Sequence, residues 1–202
     1  LALLSCGVLA VGSFPWLDVR LSPYKGLRQA LLYPGARVVA SRWNAFSRVD
    51  LVESAGVRRL PGLSYAYTGT LPAQWGLTVD GDDLAPVPLT RAEEAPPFAD
   101  YLPAAVAYHL RPGARALIVE PRGGLDVLAA RQLGAQEVTA VEGNPLVLEL
   151  ALQAAPTGIY ADPRVTVIAG EPRAFLRQTA QRYDVVQLSL AQPFRPVTSG
   201  AY

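Results

Sequence analysis

The chain has 202 residues, half of them hydrophobic and 17% charged, with a formal net charge of +1. That balance predicts a folded chain of one ordinary domain, or a small domain joined to a larger one, and gives no support for a nucleic-acid-binding surface. A single cysteine, Cys6, excludes an internal disulfide and a cysteine-based zinc site, and arginine fills every Lys/Arg position except Lys25.

Residues 1–20 form an apolar leader. Its first 14 residues, LALLSCGVLAVGSF, are too short to span a bilayer and lack the basic segment of a signal peptide. Two readings stand: the end of a membrane-spanning helix, for which Pro15-Trp16 suits an interface exit, or an element packed on the domain. Leu3-Leu4-Ser5-Cys6 has a loose likeness to a lipoprotein cleavage site. The chain contains no methionine, which predicts a processed or excised chain.

Residues 21–87 read as a small β domain. Strands are expected at 27–33, 36–43, 47–53 and 76–79, divided by Pro34-Gly35, Asn44, Gly56 and Pro61-Gly62. Residues 47–53 alternate with period two, as a half-buried antiparallel strand does. Asp80, Asp82 and Asp83 flank Gly81 and read as turn chemistry, since calcium needs more oxygen ligands than this loop offers. No metal site is expected.

Residues 88–112 read as a linker and a helix. Pro86, Pro88, Pro96 and Pro97 mark a proline-rich segment over 85–97, and the apolar spacing predicts a helix over 100–110. The lone histidine, His109, falls in the last turn, where an imidazolium interacts favourably with the helix dipole.

From residue 113 to 202 strands and helices alternate, which predicts a Rossmann-like parallel sheet. The apolar run 116–119 is a buried strand and ends in Glu120-Pro121-Arg122-Gly123-Gly124, a tight turn. A helix over 126–133 follows, closed by Gly134, and a strand over 138–141 delivers Glu142 at its end. An acidic residue about 20 positions after a glycine turn is placed to accept hydrogen bonds from ribose hydroxyls. Glu120 and Asp126 put negative charge beside the helix N-terminus, which opposes a diphosphate and favours a zwitterionic or cationic nucleoside such as an S-adenosyl sulfonium. A helix over 145–154, a strand over 164–168, a helix over 174–181 and a strand over 183–190 complete the pattern. Sheets of this type usually have more strands, so the C-terminal half is expected to be missing from this chain.

Six segments, in order, resemble the spermidine synthase (polyamine aminopropyltransferase) family. Ser22-Pro23-Tyr24-Lys25 is similar to its S-x-Y-Q, and Leu77-Thr78-Val79-Asp80-Gly81 to its L-x-L-D-G hairpin. Val119-Glu120-Pro121-Arg122-Gly123-Gly124 stands where its G-G-G-D-G nucleoside loop would be, and Val141-Glu142 matches the strand that holds the ribose. The segment from Gly170-Glu171-Pro172 to Leu176 is similar to G-D-G/A-R-x-F-L, and Tyr183-Asp184-Val185-Val186 to the Y-D-V-I that opens the catalytic strand. Tyr24-Lys25-Gly26-Leu27 and Tyr67-Thr68-Gly69 resemble a bacterial branch often fused behind membrane-spanning segments.

The resemblance implies a small N-terminal β domain followed by a methyltransferase-like Rossmann fold. It also implies S-adenosylmethionine or decarboxylated S-adenosylmethionine as the bound nucleoside and a polyamine-like acceptor. A homodimer, a membrane tether through the N-terminus and a place on the cytoplasmic side follow from the same likeness. Carried over residue by residue, Glu120, Gly123, Gly124, Asp126, Glu142, Gly170 and Glu171 would hold the nucleoside; Tyr24, Asp100 or Tyr101 would face the acceptor, and Asp100, Tyr101 and Ser189 are the candidates for a catalytic residue, none of them assigned. Four departures stand out. The D-S-S-D-P of the catalytic strand is Ser189-Leu190-Ala191-Gln192-Pro193 here, so both carboxylates are replaced. Lys25 takes the place of a glutamine, residues 98–102 replace the Y-H-E segment, and Gly123 stands where the loop aspartate would be. These residues imply either a transferase, aminopropyl or methyl, with altered acceptor chemistry, or a non-catalytic binding or scaffold domain of a membrane protein.

Overall fold

The structure, a computed structural model, describes residues 21–189. The leader, residue 190 at the end of the last expected strand, and the Leu190-to-Pro193 part of the catalytic-strand segment lie outside the described residues.

Where a strand was expected over 27–33 the chain forms a helix, α1 (Gly26–Ala30). Leu27 and Ala30, three residues apart, bury one helical face against Val52 and Val57, and that spacing suits a helix where a strand would split the pair across two faces. Four strands follow: β1 (Arg37–Trp43), β2 (Arg48–Glu53), β3 (Gln74–Val79) and β4 (Asp82–Pro88), in antiparallel order β1-β2-β3-β4. Asp80 and Gly81 join β3 to β4 in a two-residue hairpin, with φ of 53° and 71°. β4 replaces the first part of the expected linker. It is an edge strand, where Pro86 and Pro88 are tolerated without an amide donor.

The helix expected over 100–110 is split into a 3₁₀ turn (Ala99–Tyr101) and α2 (Ala105–Leu110). Pro103 is the cause: it holds the preceding Leu102 extended, at φ −96° and ψ 149°. The alternation then runs β5 (Arg115–Val119), α3 (Leu125–Gln132), β6 (Glu137–Glu142), α4 (Pro145–Ala154), a 3₁₀ turn (Ile159–Ala161), β7 (Val165–Ala169), α5 (Pro172–Gln178) and β8 (Val185–Leu188). All three pairings are parallel and the order is β7-β6-β5-β8. The chain steps from β5 to β6 to β7 in one direction, then returns to lay β8 on the other side of β5. That reversal is the switch point of a Rossmann-type sheet. The fold is therefore α/β, a small antiparallel sheet followed by a Rossmann-type parallel one, as expected.

The two sheets share one core. Val49, Leu51, Leu77 and Val87 of the first cluster with Ala116, Ile118, Val138 and Ala140 of the second, and α4 packs against β1, β2 and β3 as well as β6. One ion pair is buried beside it. The Arg131 side chain, 4% exposed, meets Asp162 at 3.1 Å and ties α3 to the segment before β7. Among the described residues no helix is long and apolar enough to cross a membrane.

Candidate functional site

Parallel strands deliver their carboxyl ends to one edge of the sheet, and this edge collects most of the expected residues. Glu120 follows β5, Glu142 ends β6, Gly170 follows β7 and Ser189 follows β8. The switch point lies between the ends of β5 and β8, the place where open α/β sheets take their ligands.

The turn from β5 into α3 is tightly held. The Glu120 amide donates to the Val141 carbonyl at 2.8 Å, and the Gly124 amide to the Pro121 carbonyl at 2.9 Å. The Arg122 amide donates to Oε2 of Glu142 at 3.1 Å, and the Tyr160 hydroxyl donates to the Arg122 carbonyl at 2.8 Å. Glu120 and Arg122 each adopt a left-handed φ of 52°, an uncommon conformation for residues with a side chain and one that concentrates at functional sites.

The glycines of this turn serve packing. A Cβ on Gly123 would lie 2.1 Å from the Pro86 carbonyl oxygen of β4, so the first sheet already occupies that space. Gly124 has φ 93°, and a Cβ there would meet Ile159 at 2.9 Å. Open space lies elsewhere along the edge. A Cβ on Gly170 meets nothing within 4 Å, whereas one on Gly143 would be in ordinary van der Waals contact with Pro172 at 3.7 Å and Glu120 Oε1 at 3.9 Å.

Three carboxylates along the edge already have partners within the fold. Glu142 is 4% exposed, and its Oε1 also accepts the Asn144 amide at 3.0 Å. Burial pushes its pKa up, partly offset by those two amides; the Glu120 charge raises it further and the Arg122 charge lowers it. Asp126, in the first turn of α3, accepts hydrogen bonds from the Ser189 hydroxyl and from Gln187 of β8. Burial again dominates and holds its carboxyl above the usual range. Gln187 in turn accepts from the Tyr108 hydroxyl at 3.1 Å, so α2, β8 and α3 are linked across the switch point. Glu171 is exposed and caps α5, its oxygens accepting from the amides of Arg173 at 3.1 Å and Ala174 at 2.6 Å.

The residues expected to face the acceptor or to be catalytic are spread more widely. Asp100 and Tyr101 sit on the first 3₁₀ turn, where Asp100 pairs with His109 at 2.9 Å and Tyr101 meets Tyr67 edge to face at 5.1 Å. Tyr24 is exposed just before α1, and Lys25 pairs with Asp82 at 3.4 Å. Ser189 alone of this group stands at the carboxyl edge. Among the described residues no three His, Cys, Asp or Glu side chains are grouped to hold a metal ion.

Three residues that organise the site were not singled out from sequence. Asn144 caps α4 through Leu146 and exchanges hydrogen bonds with Asn44 (3.0 Å) and Ser47 (2.9 Å) at the tip of the β1–β2 hairpin. The pair Asn144-Pro145, a capping residue before proline at the first helical position, is a signal that could have found it. Tyr160 and Gln187 carry none, because their roles depend on what the fold brings beside them.

No family model matches the chain, and no curated protein matches it. Among solved structures it is similar to a spermidine synthase in complex with the transition-state analogue AdoDATO, with a TM-score of 0.48 and 18% identity over 76% of this chain and 48% of that one. It is also similar to spermidine synthase from Thermotoga maritima, with a TM-score of 0.49 and 18% identity over 78% of this chain and 48% of that one. The chain spans about half the length of these synthases.

Proposed function

We propose that the carboxyl edge of the parallel sheet binds an S-adenosyl nucleoside, within a spermidine synthase-like transferase domain whose acceptor chemistry is altered. The observation that carries this reading is the position of Glu142, an acid at the end of β6 beside the switch point, with open space at Gly170. The ordered segments that resemble the family support it. The donor set fits such a ligand: each Glu142 oxygen accepts one backbone amide and keeps a lone pair for a ribose hydroxyl, and Gly170 and Glu171 would line the adenine. When bound, the ligand supplies an electrophilic carbon beside a sulfonium. The chain's own part is then to align an acceptor and take its proton. The Ser189 hydroxyl, which donates to the buried Asp126 carboxylate, would relay an acceptor's proton to that carboxylate. A dimer, and a tether on the cytoplasmic side of a membrane, belong to the same proposal.

One observation favours a second reading, a non-catalytic binding or scaffold domain of a membrane protein. Asp126, Glu142 and Glu171 all spend their carboxylates on the fold itself.

Calorimetry tests the first step. The wild-type chain is expected to bind S-adenosylmethionine or its decarboxylated form, and Glu142→Ala to lose that binding. Failure of the wild type to bind methylthioadenosine or either cofactor would end the nucleoside reading. Supplying putrescine with the decarboxylated cofactor and measuring methylthioadenosine release separates an aminopropyltransferase from a scaffold.

A further inference from the structure

Ser189 continues the ladder of β8, its amide donating to the Val119 carbonyl at 3.3 Å. Gln187 lies two positions before it, so both side chains leave the same face of the strand. Ser189 donates to Oδ2 of Asp126, and Gln187 donates to the same carboxyl. At its other end Gln187 accepts from the Tyr108 hydroxyl at 3.1 Å. Each bond of this chain sets the direction of the next. An ionised carboxylate can only accept, so the Gln187 amide turns its NH₂ to Asp126 and its oxygen to Tyr108, whose hydroxyl then donates. Tyr108 is 2% exposed and packed in the core, so its hydroxyl has no water to turn to instead. Two effects compete on Asp126. Burial favours the neutral acid, while the Ser189 and Gln187 donors favour the carboxylate. The other titratable groups that feel its charge are Tyr108 of α2 and Tyr160 of the second 3₁₀ turn, and burial holds both phenols neutral.

We propose that Gln187 and Tyr108 are positioning residues, which hold the Asp126 carboxylate against Ser189 in the state that accepts a proton. This rests on the transferase reading above and adds the residues that stand behind its base. In the step, the acceptor gives its proton to the Ser189 oxygen as the Ser189 proton passes to Asp126. The lone pair so freed forms the bond to the carbon beside the sulfonium, and the carbon–sulfur bond breaks with its electrons left on sulfur. The positive sulfonium and the negative carboxylate thereby become a neutral thioether and a neutral acid. Gln187 and Tyr108 neither gain nor lose a proton.

A ¹³C NMR titration of the full chain, labelled at its aspartate carboxyls and assigned with Asp126→Asn, tests this. Loss of one hydrogen bond to a charged group corresponds to about one to two pH units in a carboxyl pKa. Gln187→Met, which keeps the bulk and removes the donor, is expected to raise the Asp126 value by that amount. Tyr108→Phe, which leaves the Gln187 amide free to turn, raises it by a smaller step. Tyr183→Phe removes an exposed hydroxyl bonded to Gln181 and leaves it unchanged. A merely structural role for Gln187 and Tyr108 would lower stability and leave Asp126 titrating as in the wild type. That result would overturn the proposal, as would an equal rise in Tyr183→Phe. The second readout is methylthioadenosine release from the decarboxylated cofactor and putrescine. The acid limb of its pH profile is expected at the Asp126 value and to move up with it in Gln187→Met, with KM for the cofactor unchanged. A limb that stays in place overturns the role in proton transfer. No release at any pH ends the aminopropyl-transfer reading, and the titration still decides whether Gln187 and Tyr108 hold Asp126.

Discussion

Replacing Gly123 with alanine tests whether the turn at the switch point is glycine for the sake of the first sheet or for the sake of a ligand. The added Cβ would stand 2.1 Å from the Pro86 oxygen and 2.7 Å from the Pro86 carbonyl carbon. Both are backbone atoms, of a strand laddered to β3, so no side chain can swing away. The turn cannot yield easily either, because Val141, Glu142 and Tyr160 hold it by hydrogen bonds. Gly123 is not among the glycines with a left-handed φ, so backbone preference does not enter. Overpacking costs about 1–3 kcal/mol where side chains can repack. With backbone on both sides the upper end applies, about 3 kcal/mol, or a fall in Tm of roughly 6–12 °C for a chain of this size. Urea unfolding followed by circular dichroism measures it directly. Gly170→Ala is the control: its Cβ meets nothing, so stability stays within about 0.5 kcal/mol of wild type. Under the nucleoside reading that same variant binds ligand more weakly. If Gly123→Ala were as stable as wild type, the close approach of β4 to the turn would be wrong.

Further expectations concern the buried charges and a cap. Because burial raises the Asp126 pKa in the folded chain, the folded state holds a proton that the unfolded state releases near pH 4; its contribution to stability therefore falls as pH rises from there through the folded value. Asp126→Asn removes that titration, so urea midpoints between pH 4 and 8 should decline less than in wild type; an identical decline counts against the buried carboxyl. Asp162→Ala leaves the Arg131 guanidinium buried without its partner and is expected to cost about 3–5 kcal/mol in equilibrium unfolding, whereas a loss under 1 kcal/mol would mean the pair is wetter than it looks. Glu171→Ala removes both cap bonds of α5 and should cost about 1 kcal/mol, read as a lower urea midpoint.

The Rossmann half of the fold was the legible half. Its strands are short apolar runs closed by acid or glycine, and α4 was readable to the residue because Pro145 can only open a helix and the apolar spacing continues to Ala154. The first sheet was harder. Pro86 and Pro88 signal a linker unless the strand is known to be an edge, and edge position is a property of the assembled sheet. Leu27 and Ala30 look like strand residues until Val52 and Val57 are placed beneath them. At the site, the positions of Glu120, Glu142 and Gly170 at strand ends followed from the alternation, whereas Ser189 was expected inside a strand that ends at Leu188. What those residues touch did not follow. Glu171 reads equally well as a ligand contact or a cap, and only the path of α5 shows the cap. Gly123 reads as room for a ligand, and only the approach of β4 shows that the room is filled.

The central claim is that the carboxyl edge of the parallel sheet is a nucleoside site. Titrating ¹⁵N-labelled protein with methylthioadenosine and following backbone amides tests it most directly. The expected result is saturable movement of the Gly143, Asn144 and Gly170 resonances, with those of the Asp80-Gly81 hairpin unmoved. Shifts centred on the antiparallel sheet, or none at the three edge amides, would contradict it.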